Sequence, residues 1–134
     1  MRVVLDTNIL ISGIFFGGPP FRILEAWRDG KVRLAVTESI LEEYGRVGER
    51  LGRQFPGIDV IPFMQLLAVS ADLYPAVRLR KPVCEHPDDD KFIACALASG
   101  SRVIVSGDKG LLIVSGYRGI QVLSPRAFVD QFLK

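Results

Sequence analysis

Two short apolar runs, each closed by an acid, constrain this chain more than any other feature. Val3-Val4-Leu5 ends on Asp6, and Arg102-Val103-Ile104-Val105 is followed, after Ser106 and Gly107, by Asp108. Near-continuous apolar runs this short suit strands of a parallel sheet covered on both faces. In open sheets of that kind, residues just past the carboxyl ends of the strands line the ligand crevice. If the two strands are neighbours, Asp6 and Asp108 meet there.

The rest of the chain alternates in the same style. Val32-Arg33-Leu34-Ala35-Val36 reads as a strand nearer an edge, and Ile120-Gln121-Val122-Leu123 as a last short strand. Ser124-Pro125 supplies an N-cap and a first-turn proline for a terminal helix. Helices are expected after Asn8, from Gly17-Gly18-Pro19-Pro20 to about Gly30, and over roughly 38–51, 59–71 and 88–99, with a helix–helix connection from Gly52 to Pro62. This order predicts a three-layer α/β/α fold around a mainly parallel sheet. At 134 residues and 49% hydrophobic content, the chain suits one domain spanning 1–134.

Composition narrows the function. No apolar run reaches the ~20 residues of a membrane helix, and the N-terminus lacks the pattern of a signal peptide. A cytoplasmic protein with no membrane partner is expected. Cys84 and Cys95 are the only cysteines and read as reduced, partly buried thiols. With the single His86 they are too few for a zinc site. The net charge is +2, and twelve of the seventeen basic residues are Arg, whose donor fork suits phosphate.

Two further acids can join the first pair. Ile40, Tyr44, Val47 and Leu51 form the buried stripe of a helix, with Glu43 on its flank and Glu42 nearly opposite. Glu42 is expected to pair with Arg46 in solvent, and Glu49 with Arg53. In Asp88-Asp89-Asp90, the first two acids read as helix-start residues complementing the helix dipole, with Asp88 the N-cap. Asp90 shares a face with Ile93, Ala94 and Leu97, which places its carboxylate at the rim of the sheet. Asp6, Glu43, Asp90 and Asp108 are therefore the candidate catalytic and metal-binding set. Clustered carboxylates need a cation between them, and oxygen-only donors favour Mg²⁺ or Mn²⁺. Phosphodiester hydrolysis is the chemistry that follows. His86 is read as exposed and incidental, and Trp27, Phe15 and Phe16 as core or interface residues. Gly17-Gly18-Pro19-Pro20 lacks the ending of a phosphate-binding loop.

These segments resemble a known family. Val3-Val4-Leu5-Asp6-Thr7-Asn8-Ile9-Leu10 resembles the opening of a PIN domain, and Glu38-Ser39-Ile40-Leu41-Glu42-Glu43-Tyr44 its glutamate helix. Asp90-Lys91-Phe92-Ile93-Ala94-Cys95-Ala96 is similar to its aspartate-led helix, and Val105-Ser106-Gly107-Asp108-Lys109 to its last acidic strand end. The resemblance implies a Mg²⁺- or Mn²⁺-dependent endoribonuclease acting on single-stranded RNA. It also implies the toxin of a toxin–antitoxin pair, commonly a homodimer held in check by a small antitoxin protein. Many relatives carry a further acid where this chain has Gly110. Three rivals stand beside this reading: a housekeeping RNA-processing nuclease, a non-catalytic interaction or RNA-binding module, and phosphoryl transfer through an Asp6 intermediate. The last usually wants an acid two residues on, where Asn8 stands. Arg46, Arg50 and Lys109 are the candidate backbone contacts for RNA.

Overall fold

A computed structural model describes all 134 residues. Five parallel strands form one sheet in the order β3-β2-β1-β4-β5. They are β1 (Arg2–Leu5), β2 (Arg33–Val36), β3 (Asp72–Leu73), β4 (Val103–Val105) and β5 (Gln121–Leu123). Val3 pairs with Leu34 on one side of β1, while Val4 and Leu5 pair with Ile104 and Val105 on the other. Val3, Val4, Leu5, Ile104 and Val105 are all essentially inaccessible to solvent, as strands covered on both faces must be. The chain therefore builds outward from β1 to β2 and β3, then returns to the other side of β1 for β4. The order reverses between β1 and β4, and that switch point is where a crevice opens at the carboxyl ends.

Seven helices complete the three-layer α/β/α architecture: α1 (Thr7–Phe15), α2 (Gly18–Arg28), α3 (Glu38–Gln54), α4 (Ile61–Ser70), α5 (Asp90–Ser99), α6 (Lys109–Leu112) and α7 (Pro125–Phe132). Helix α5 lies across β1, β2 and β4, whereas α2 packs on α1 and α7. Ser124 caps α7 as its sequence predicts, its Oγ accepting from Ala127 N–H at 3.1 Å. The stripe on α3 is also as expected, with Ile40 and Tyr44 buried and Val47 and Leu51 partly so. Tyr44 donates its hydroxyl to the Leu5 carbonyl at 2.5 Å, pinning α3 to the end of β1. No single helix is long and apolar enough to cross a membrane.

The structure corrects several local expectations. Strand β2 lies nearer an edge than β1, as expected, but an unexpected β3 covers its outer side; β3 is two residues long and too short to leave a periodic signal. Asp72 on β3 is held by Arg2 Nε at 3.3 Å and by the Arg33 guanidinium at 2.8 Å. Helix α3 continues past Gly52 to Gln54. Arg46 turns toward Glu43, at 3.9 Å, and not toward Glu42; the Glu49–Arg53 pair forms at 4.0 Å. Cys84 and Cys95 are free and buried, and burial pushes both thiols up to about 12. Trp27 meets Phe63 edge to face, and Phe15 and Phe16 cluster with Phe55.

Candidate metal centre and active site

Asp6 and Asp108 sit at the switch point, one past β1 and the other past β4. Each stands immediately before a helix, yet neither side chain caps its helix. Backbone groups close both turns instead: Asp6 C=O accepts from Ile9 and Leu10 N–H, and Asp108 C=O from Leu111 and Leu112 N–H. Both carboxylates are thereby left for other work. Ser106 joins them. Its buried hydroxyl donates to Asp6 Oδ2 at 2.7 Å and accepts from Asp108 N–H at 2.9 Å. Asp6 is only 6% exposed. Burial raises its pKa most; the Ser106 hydrogen bond opposes that, and repulsion from Asp108 and Glu43 adds to it.

Glu43 reaches the same rim from α3 with both oxygens engaged. Oε2 accepts from Thr7 Oγ1, and Oε1 accepts from Lys91 Nζ at 2.7 Å. Lys91 also reaches Asp88 Oδ1 at 3.1 Å. Burial opposes the charge on Lys91, but these two carboxylates outweigh it and hold its pKa above the usual value. Asp88 is thus an ion-pair partner and not an N-cap; its side chain caps nothing.

The acids before α5 exchange the roles expected of them. Asp90 accepts from the backbone, Oδ1 from Cys84 N–H at 2.7 Å and from Val83 N–H at 3.3 Å. It fixes the 83–84 loop. Asp89 instead lies against Asp108. Its carboxyl is pushed up to about 6 by burial, by a hydrogen bond shared with Asp108, and by repulsion from Asp108 and Asp6. The signal for Asp89 is present in the sequence. One turn on from it stand Phe92 and Ile93, two turns on Ala96, and all three are more deeply buried than Ala94 or Leu97. A helical face anchored on Phe92 points to Asp89; one anchored on Ala94 and Leu97 points to Asp90.

Asp6, Glu43, Asp89 and Asp108 therefore form the acid cluster, and Lys91, Thr7 and Ser106 are members that sequence reasoning missed. His86 is exposed, but its ring borders the site. A Cβ placed on Gly110 would lie 3.4 Å from Asp108 Oδ2 and 3.9 Å from His86 Cδ2. A side chain at 110 would thus point into the cluster, and here that position is bare.

The donor set fits a hard divalent cation. The pKa values of Asp6 and Asp89 are raised first by burial and then by neighbouring carboxylates, and a cation would relieve the second of these. No three side chains are drawn together as a finished ligand cage. Mg²⁺ keeps several of its waters, so part of this set would reach the ion through water.

An α/β domain of this order gathers acidic side chains at the β1/β4 switch point, where the ligand crevice of such a fold opens. The family model described as PIN domain matches residues 2–110, and the chain belongs to that family, whose members are generally nucleases and generally use divalent metals. No curated protein matches the chain.

Proposed function

We propose that this protein is a Mg²⁺- or Mn²⁺-dependent endoribonuclease that hydrolyses single-stranded RNA at the Asp6–Asp89–Asp108 cluster. The observation that carries the reading is the placement of Asp6 and Asp108 across the switch point, joined through the Ser106 hydroxyl, with no side-chain cap made by Asp6, Asp89 or Asp108. Asp6, Asp89 and Asp108 would hold the ion. When bound, it polarises a phosphoryl oxygen and lowers the pKa of a bound water. Ser106 keeps Asp6 and Asp108 at a fixed spacing. Glu43, held by Thr7 and Lys91, would accept a hydrogen bond from the attacking water. An unpaired strand can bend its phosphate into this recess more readily than an A-form duplex.

The test is cleavage of end-labelled single-stranded RNA and of the matching duplex, with Mn²⁺ or with EDTA. Internal cuts in the single strand that need Mn²⁺ are expected. Equal cutting by a metal-free preparation would overturn the mechanism. RNA that is bound but never cut would favour the non-catalytic module, for which bare Gly110 is the argument.

The same reading includes the toxin role, with a second copy and a small antitoxin protein as partners. What supports a protein partner is the apolar outer face of α4, where Ile61, Leu66 and Val69 are 62%, 48% and 85% exposed. Light scattering on wild type and Val69→Asp checks this: a wild-type dimer that dissociates in the variant is expected, and a wild-type monomer would count against the homodimer.

A further inference from the structure

A second charged feature lies outside the acid cluster. Three adjoining hollows of about 390, 500 and 500 Å³ lie between the 77–83 segment, the 113–120 loop and the last turns of α5 at Ala96 and Leu97. The first and third share Lys81 and Tyr117, and the first and second share Leu97 and Arg118, so they form one groove. Arg78, Arg80, Lys81, Arg102 and Arg118 line it, and no carboxylate does. None of these five cations makes an ion pair, and they are gathered in one place, whereas the other unpaired cations, Arg22, Lys31, Arg50, Lys109 and Arg126, do not line these hollows. Unpaired cations over an apolar floor with a tyrosine ring match what a single nucleic-acid strand requires, cations for phosphates and a ring for a base.

Two details tie the groove to the acid cluster. Val83 lines its upper end, and the Val83 and Cys84 amides are held by Asp90, the residue after Asp89. The lower end lies by Arg102, where β4 begins, at the opposite end of α5. Arg118 is also the only non-glycine residue with left-handed backbone, at φ 49°, between glycines at 116 and 119 that share the positive φ. A glycine would be favoured there, yet an arginine occupies the position and lines two of the three hollows.

Resting on the nuclease reading above, we infer that this groove is the track that binds the RNA strand flanking the scissile phosphate. Arg78, Arg80, Lys81, Arg102 and Arg118 contact phosphates, and Tyr117 offers its ring to a base.

Anisotropy of a short fluorescein-labelled oligouridine, measured in EDTA, reads the groove without cleavage. The Arg80→Ala/Lys81→Ala/Arg118→Ala variant should bind about tenfold more weakly or worse, and its log Kd against log salt should be shallower by about 2, because three phosphate contacts at about 0.7 each are gone. Arg118→Gly, which removes the charge and suits the backbone, should stay as stable as wild type and still weaken binding. Arg22→Ala/Arg126→Ala, on exposed positions elsewhere, should bind as wild type does. A folded triple variant with wild-type affinity and slope would overturn the groove. So would a wild type that does not bind the oligonucleotide, which would leave the strip to an acidic protein partner. The two readings fail separately. RNA held by the groove but never cut with Mn²⁺ sinks the nuclease and keeps the track. RNA cut with the same KM by wild type and triple variant sinks the track and keeps the nuclease.

Discussion

The acid rim and the basic groove handle charge in opposite ways. At the rim, charge is buried and crowded. Asp6 is 6% exposed, Glu43 is clamped by Thr7 and Lys91, and Asp89 is forced against Asp108. In the groove, charge is spread out, solvated and unpaired. Burying like charges costs stability and creates reactivity, because the strain is relieved only by a cation or a proton. Spreading cations along a wet surface costs little and yields binding that salt can screen. The first arrangement suits chemistry at one atom, and the second suits holding a chain along its length.

That contrast predicts graded consequences of substitution. The largest fall on the rim. Asp6→Asn and Asp108→Asn should each lower RNA cleavage by about 100-fold or more while the protein stays folded, the scale expected when a group stabilising transition-state charge is removed. Steady-state cleavage with circular dichroism on the same samples checks this, and a loss confined to KM would move the residue from the chemistry to binding.

The adjacent acids sharpen the comparison within a single turn. Asp89→Asn should cost activity and not stability. Asp90→Ala should cost about 2 kcal/mol of stability, because the Val83 and Cys84 amides lose a charged acceptor. Its folded fraction should retain most of its turnover. Urea melts read alongside cleavage rates separate the two effects.

A smaller effect comes from pH. The groups facing Asp89 are Asp108, Asp6 and Asp88, and with burial they set its carboxyl at about 6 against an unfolded 3.8. A carboxyl raised on folding binds its proton more tightly in the native state. Its stabilising contribution is therefore full below about pH 3.8 and is lost as pH rises through about 6. Metal-free Asp89→Asn should thus be more stable than wild type at neutral pH, by about 1 kcal/mol after solvent screening. The gap should close toward pH 4. A constant gap across that range would mean that Asp89 is not repelled in the native state.

Smallest and most local is Tyr44→Phe, which removes one buried hydrogen bond to Leu5 C=O and should cost about 1 kcal/mol with little change in metal binding.

Much of this was legible in the chain, for identifiable reasons. Val3-Val4-Leu5 and Val103-Ile104-Val105 are apolar on both faces, so a covered parallel sheet was the one setting that suited them. Their position also fixed Asp6 and Asp108 as rim residues. Ser124-Pro125 marked α7 because a cap is local chemistry. What failed depended on phase and on long-range partners. The choice between Asp89 and Asp90 turns on a rotation of about 100° per residue, and Phe92 decides it only once its burial is known. Lys91 lies next to three acids in sequence, but its main partner is Glu43, on another helix. The two-residue β3 leaves no pattern, and the groove forms only when the 77–83 segment folds onto α5 beside Tyr117.

The central claim is that Asp6, Asp89 and Asp108, and not Asp90, make the metal site. Calorimetric titration of Mn²⁺ into wild type, Asp89→Asn, Asp90→Asn and the Asp6→Asn/Asp108→Asn pair, near pH 6, tests it most directly. Wild type and Asp90→Asn should bind with similar affinity, and wild type should release protons as Asp89 ionises. Asp89→Asn should bind about tenfold more weakly or worse, the scale on which a metal site responds to loss of a supporting group, and the double variant should not bind. Loss of binding in Asp90→Asn with full binding in Asp89→Asn would contradict the account, as would a wild type that binds no Mn²⁺ at all.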